Sequence, residues 1–398
     1  MSAHLKMDTP DHRRRLDHTA QGVIGTGLNR PDGAAKVTGT APYAYEVQPE
    51  NMAYGVLVRA PVTRGTLTGI DADAVMALPG VLSVMHGPKF LRNPAQGTAN
   101  TAPVQGSEDI AYWGQPVALV IAETFEQARH GAHLLELQIA AKTGQVDPEA
   151  AGFETPDDQQ DSQGDLDQAM QDAAASVDVT YTTPGHNSAA MEPHASIASW
   201  DGAHLTLRGS YQMPNYNINE LASSVGIDAA QVRILSPFVG GGFGAKLGIA
   251  PEAVAAALAA MELSRPVGVA LSRQQVFETT MRRSESRQRV RLSADAQGHL
   301  TGIGHEAYVS NLPDEAFSEP VTQATPFIYS GENRLIGHHI ARVNRTCAGS
   351  VRAPGESIGV TVLENAMDEL ACDLGIDPVD LRLANFPDKN PTSGLPFS

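Results

Sequence analysis

SPFVGGGFGAKLG, residues 236–248, follows the strand-like QVRIL (231–235) and puts four glycines into the five positions 240–244. Glycine carries no Cβ, so a backbone built this way can come within hydrogen-bonding distance of a bound group, often an anionic oxygen. An Ala-rich helix, PEAVAAALAAMELS (251–264), is predicted directly after it, with Pro251 suited to the first turn. A strand, a glycine loop and a helix in this order make the loop the first place to look for function.

Three readings of the loop compete. A phosphate-binding P-loop needs Gly-Lys adjacent and then a hydroxyl residue for magnesium, but Ala245 separates Gly244 from Lys246 and Leu247 holds the hydroxyl position. A dinucleotide fingerprint fits better, because Gly240, Gly242 and Ala245 satisfy G-x-G-x-x-A. Against it, Ser236-Pro237-Phe238 intervene between strand and glycine, and no acidic residue ends the next strand, VGVALSR. The third reading is a turn that only lets a helix pack closely on a strand. Pattern leaves the last two open.

Composition narrows the partners. The 398 residues are 42% hydrophobic and 18% charged, ordinary for a globular chain but too long for one core. With 28 Lys and Arg against 45 Asp and Glu, the net charge of −17 repels a polyphosphate backbone or an anionic membrane. Nucleic acid is not expected as a partner, and no apolar run is long enough for membrane insertion. The two cysteines, Cys347 and Cys372, supply neither a disulfide framework nor an iron–sulfur ligand set. The basic HRRRLDH lacks the apolar stretch of a signal peptide, so no targeting signal is read.

Four regions are expected. Residues 1–20 form a flexible tail, and 21–145 a small α/β domain. There PVALVIAE reads as a buried strand, Thr124 and Gln127 as a capping box, FEQARHGAHLLE as a helix, and LELQIA as a returning strand. Residues 146–175, acidic and broken by Pro and Gly, read as a linker. Residues 176–398 form the larger domain, whose long helix ESIGVTVLENAMDELACDL presents Leu363, Met367, Leu370, Ala371 and Leu374 on one face and stops at Gly375. Asp377 before Pro378 caps the next helix.

GGGFGAK resembles the cofactor-contacting loop in the large subunit of molybdenum hydroxylases, the family of xanthine dehydrogenases and aldehyde oxidoreductases. DGAAKVTGTAPYAYE, GQPVALVIAETFEQAR, MEPHASIASWDG, SVRAPGESIGVTVLENAMDELA and LGIDPVDLRLANF follow the order of that family's landmarks. The chain is most similar to the molybdenum subunit of bacterial periplasmic-type aldehyde oxidoreductases. The resemblance implies an α/β hammerhead-like domain, then the first mixed α+β molybdenum-cofactor-binding domain. It implies a molybdopterin dinucleotide, in the cytosine form usual in bacterial relatives, whose dithiolene holds the metal in place of protein ligands.

By similarity Gly241, Gly242, Phe243 and Gly244 contact the cofactor, as do Arg352 and Gly355 of the RAPGE turn. Gln212 matches the glutamine that donates a hydrogen bond to an oxygen on molybdenum. Leu247 stands where purine-oxidising members carry glutamate, which implies apolar or aromatic aldehydes in preference to xanthine. His186, His194 and His204 are read as ordinary histidines, Glu192 as structural, and Glu356 as a charge near the start of a helix beginning after Ser357.

The family's general-base glutamate lies in a GVGE-like motif, and neither that motif nor a QGQG-like segment occurs here. The chain therefore matches the first half of such a subunit. A complementary chain bearing the C-terminal half, an iron–sulfur subunit and an FAD or cytochrome (haem) subunit are the expected partners of an aldehyde-oxidising component that is inactive alone. N-heterocycle hydroxylation by the same machinery and a noncatalytic scaffold stand as alternatives. The expected compartment is the cytoplasm, or the periplasm by export with a signal-bearing partner.

Overall fold

The computed structural model describes residues 26–91 and 105–397, together with Gly22 and Pro103; the tail expected over residues 1–20 lies outside the described residues. Three sheets carry the architecture. The largest has seven strands in the order Val232–Leu235, Leu205–Gly209, Ala195–Trp200, Val267–Ala270, Ala53–Arg59, Pro116–Ala122, Val81–His86. The N-terminal and larger regions thus share one sheet, joined where Ala53 pairs in parallel with Val267.

Hydrophobic pattern explains the layers. Every residue of Pro116–Ala122 is buried, as a strand covered on both faces should be. Helix Phe125–Leu134 lies over this strand and over Ala53–Arg59. Its start is fixed by the Thr124 hydroxyl accepting from the Gln127 N–H while the Gln127 Oε1 accepts from the Thr124 N–H. Helix Pro251–Leu263 is buried all round from Pro251 to Ala260; its alanines let it lie close against the seven-stranded sheet.

A second sheet of five strands runs in the order Asp161–Gln163, Asn333–Arg342, Leu300–Asn311, Ser286–Ala294, Ala175–Thr183. Helix Glu356–Leu374 packs on it through Leu363, Met367, Leu370 and Ala371, all buried, while Leu374 packs at the core's margin. Burying each leucine contributes about 1.5–3 kcal/mol. Gly375 ends the helix in the left-handed region, and the Asp377 carboxylate caps Pro378–Asn385 by accepting from the Val379 N–H at 2.8 Å. The helix starts at Glu356, two residues earlier than the start expected after Ser357, with Gly355 as its N-cap. A small third sheet joins Asp109–Ile110, Gly65–Asp71 and Glu136–Ala141.

The stretch 146–175, expected as a linker, has structure of its own. It carries helices Pro148–Ala151 and Leu166–Asp172 and the edge strand Asp161–Gln163 of the five-stranded sheet. Its acidity answers arginines on that sheet: Glu149 meets Arg287, Glu154 meets Arg342, Asp161 meets Arg334 and Asp167 meets Arg291. Such exposed pairs contribute little singly. Docking comes equally from backbone, with Glu154 and Ile340 exchanging both N–H···O bonds at 2.9 Å.

Candidate functional site

The strand Val232–Leu235 is the edge of the seven-stranded sheet, and the glycine loop leaves it there. The fold does not form a dinucleotide βαβ unit. The next strand, Val267–Ala270, is separated from Val232–Leu235 by two others, and the helix begins only at Pro251. Lys246 is no phosphate ligand either: its side chain is 1% exposed, and Nζ donates to the Glu192 carbonyl (2.9 Å), the Glu192 carboxylate (3.2 Å) and the Ser210 hydroxyl (3.1 Å). Burial lowers its pKa from the ordinary 10.5, with Glu192 opposing that shift.

These contacts fix the loop from below. Glu192 Oε2 also accepts from the Gly240 N–H at 2.7 Å, so one carboxylate ties the first glycine to the lysine that ends the motif. His194 Nε2 donates to the Ala245 carbonyl at 2.9 Å; burial pushes its pKa down to about 4, so the ring is neutral and Nδ1 is a bare acceptor. Glu192 and His194 are thus loop supports, in line with their structural reading. Asn217 Nδ2 donates to the Leu247 carbonyl at 2.8 Å.

Gln212 braces the loop from the side. Its Oε1 accepts from the N–H groups of Gly244 (3.0 Å) and Lys246 (3.3 Å), and its own N–H donates to the Lys246 carbonyl at 2.8 Å. The residue is exposed, and its Nε2 donates to nothing among the described residues. A solvent-facing strand amide would not need two loop donors; this amide spends its acceptor on the loop and leaves its donor free.

The RAPGE turn meets the loop directly. The Arg352 N–H donates to the Phe243 carbonyl at 2.8 Å, and Gly244 packs against Ser350 and Val351. Arg352 is exposed, and its guanidinium has no partner among the described residues. Gly355, with φ +79°, belongs to the base of the turn rather than its open face: its N–H donates to Glu319 at 2.7 Å, and a Cβ there would lie 2.1 Å from the Pro320 carbonyl oxygen.

Sequence reasoning missed what holds this turn. Arg283 donates to the carbonyls of Val351, Arg352 and Ala353 and to Glu319 at 2.6 Å, and both side chains are buried. Its neighbours MRRSESRQRV gave no hint, because the partner carboxylate lies 36 residues on.

What remains is a concentration of unused donors. The N–H groups of Gly241, Gly242 and Phe243 donate to nothing among the described residues, and the positive φ of Gly241 (+103°) and Phe243 (+53°) curls that backbone into a nest. Arg352, whose backbone meets Phe243 at the joint, brings an unpaired guanidinium, and the Gln212 amide lies against Gly242 and Gly244. Phe243 is 45% exposed and Leu247 half-buried, so an apolar surface adjoins the donors. This set fits an anionic ligand with several oxygens, as a molybdopterin dinucleotide is. Among the described residues no group of three or more His, Cys, Asp or Glu could hold a metal ion, and a pterin-held metal asks for none. Among the described residues, two concavities of about 230 and 1140 Å³ share no residue with the loop.

Comparison with known proteins meets this geometry. Residues 152–386 match the family model of the molybdopterin cofactor-binding domain, and residues 38–142 that of the aldehyde oxidase and xanthine dehydrogenase a/b hammerhead domain. The chain is 41% identical over 387 residues to the aldehyde oxidoreductase molybdenum-binding subunit PaoC of Escherichia coli K12, covering 96% of this chain and 52% of that protein. It is 28% identical over 404 residues to the nicotine 6-hydroxylase large subunit of Paenarthrobacter nicotinovorans, covering 93% of this chain and 49% of that one. The aldehyde oxidoreductase of Desulfovibrio gigas shares the fold, with a TM-score of 0.82 at 24% identity over 94% of this chain and 44% of its own. The chain spans about half the length of these relatives. It belongs to the molybdenum hydroxylase family of aldehyde oxidoreductases and xanthine dehydrogenases, as part of a molybdopterin-binding subunit.

Proposed function

We propose that the chain is the cofactor-binding component of an aldehyde oxidoreductase, which converts aldehydes to carboxylic acids with oxygen from water and passes the electrons to iron–sulfur and further redox subunits. The observation that carries this is the cluster of unspent donors at Gly241, Gly242, Phe243, Gln212 and Arg352, set beside an apolar residue, Leu247. The bound molybdenum cofactor supplies the two-electron oxidation. This chain's residues bind and orient it. The loop N–H groups and Arg352 would hold its anionic oxygens, a contact to which a guanidinium is suited. Gln212 would offer its free donor to an oxygen on the metal, while Phe243 and Leu247 would present apolar surface to the substrate.

Leu247 favours aldehydes over purines, because an apolar side chain leaves a purine edge unpaired. Hydroxylation of an N-heterocycle is the second reading, since one relative is a nicotine 6-hydroxylase large subunit. The cytosine dinucleotide and the cytoplasmic or partner-exported location belong to the same proposal; among the described residues no helix is long and apolar enough to cross a membrane.

A complementary polypeptide supplying the rest of the cofactor enclosure and the general base belongs to it too. The nicotinate dehydrogenase large molybdopterin subunit of Eubacterium barkeri, 25% identical over 381 residues, is covered to 89% of its length and is named a subunit. The helix Pro378–Asn385 and the segment after it expose Val379, Leu383, Phe386, Leu395 and Phe397, an apolar face suited to that second half.

The test is turnover by the purified complex. Aromatic and aliphatic aldehydes oxidised, with xanthine and nicotinate inert, supports the reading; heterocycles oxidised with aldehydes inert replaces it with the second.

A further inference from the structure

The concavity of about 1140 Å³ lies away from the glycine loop, between helix Phe125–Leu134, the end of strand Ala53–Arg59 and helix Arg273–Thr279. Its charge runs against that of the chain. In a protein of net charge −17, the groove presents Arg129, His133 and Arg273, while Glu278, the carboxylate of its lining, is already paired with Arg59. Arg129 and His133 are exposed and without partners among the described residues. Two further donors stand unspent in the lining: Tyr45 Oη and Arg273 Nη1 are buried and have no hydrogen-bond partner among the described residues. Buried donors are ordinarily satisfied, so two in one groove ask for acceptors from outside. Between these polar groups the lining is apolar, and Trp113 stands 52% exposed at its rim, the residue type that anchors protein interfaces.

We infer that this groove docks an acidic segment of a partner polypeptide, with carboxylates on Arg129, His133, Arg273 and Tyr45 and an aromatic or aliphatic side chain against Trp113. A second copy of this chain offers less, because four carboxylates of its acidic stretch 147–172, Glu149, Glu154, Asp161 and Asp167, are already paired with arginines of its own sheet. The groove also reaches the candidate site through one residue. Arg273 Nη2 donates to the carbonyls of Ala190 (2.6 Å) and Met191 (3.2 Å), and the next residue, Glu192, holds Gly240 and Lys246 of the loop. An occupant on Arg273 therefore bears on the segment that supports the loop.

The experiment uses the full chain with Trp200→Phe, leaving Trp113 as the single tryptophan reporter. It is titrated with a short synthetic peptide rich in Glu and carrying two Phe residues, and with the same peptide bearing Ser for Phe. We expect a saturable blue shift of Trp113 emission that salt weakens, and a Kd raised about tenfold or more by Arg129→Glu with His133→Glu. The exposed Arg233→Glu, outside the groove, should leave it unchanged. No saturable shift, an equal loss in Arg233→Glu, or equal affinity for the Phe-free peptide would overturn the proposal. None of these outcomes bears on cofactor binding, so this inference and the proposed function fail separately.

Discussion

Gly244 lies so close to Ser350 that a Cβ added to it would sit 2.0 Å from the Ser350 carbonyl oxygen. The loop and the RAPGE turn are pressed together backbone to backbone, and only glycine at φ +103° permits it. Gly244→Ala should therefore destabilise by about 2–3 kcal/mol, from backbone strain plus the clash. Gly226→Ala is the control: φ is +75° but nothing stands within 4 Å, so the cost should stay near 1 kcal/mol. Urea denaturation of both variants checks the difference; equal costs would mean that the two segments do not meet as described.

Gln212 divides its amide between two jobs, and two substitutions separate them. Gln212→Leu removes the acceptor from Gly244 and Lys246 and should cost about 1–2 kcal/mol of stability. Gln212→Glu keeps the acceptor but exchanges the free donor for a negative charge. Its stability should stay close to the parent's while molybdenum retention in the assembled complex falls.

The Arg283–Glu319 pair is buried and holds four backbone groups of the turn. Arg283→Met should cost about 3–5 kcal/mol, because Glu319 is then left buried without its cation. Adding Glu319→Leu should recover part of that loss. A double variant less stable than Arg283→Met would contradict the assignment.

Glu252 gives a pH signature. Burial pushes its carboxyl up to about 7 from the ordinary 4.5, with one oxygen taking a Ser196 hydroxyl at 3.3 Å and the other unpartnered. Between these values the folded chain keeps a proton that the unfolded chain releases, so the stability it supports is present at acid pH and is lost as pH rises through 7. Glu252→Gln should overtake the parent as pH climbs, by on the order of 2 kcal/mol above neutrality. His194, lowered to about 4, acts in the opposite sense but is common to both proteins, so their difference isolates Glu252. A difference flat from pH 5 to 8 would sink the assignment.

Much of this was legible in local sequence. The Thr124–Gln127 box, Pro251 opening the buried helix and Gly375 closing the long one are short-range signals, and each fixes a boundary. The shared sheet was not legible, since Ala53 and Val267 pair across 214 positions with no pattern to announce it. The acidic stretch 146–175 misled because its composition suits a solvated linker; the answering signal was Arg287 and Arg291 along SRQRVRL, cations on the strand that meet Glu149 and Asp167. Gln212, Arg352 and the loop were singled out by the family resemblance, and their part in holding a cofactor stands as a proposal. Arg283 and Glu319 were not, because their role exists only once the chain has brought residues 283, 319 and 351–355 together.

The donors around Gly241–Phe243, Gln212 and Arg352 are proposed to hold a molybdopterin cofactor. The most direct test is molybdenum and pterin analysis, after denaturing extraction, of the chain purified with its co-eluting subunits from cells that make the cofactor. Molybdenum and pterin are expected in equal amounts, with both lost on Arg352→Glu at unchanged subunit assembly. An intact complex without pterin, or one that Arg352→Glu leaves fully loaded, would contradict it.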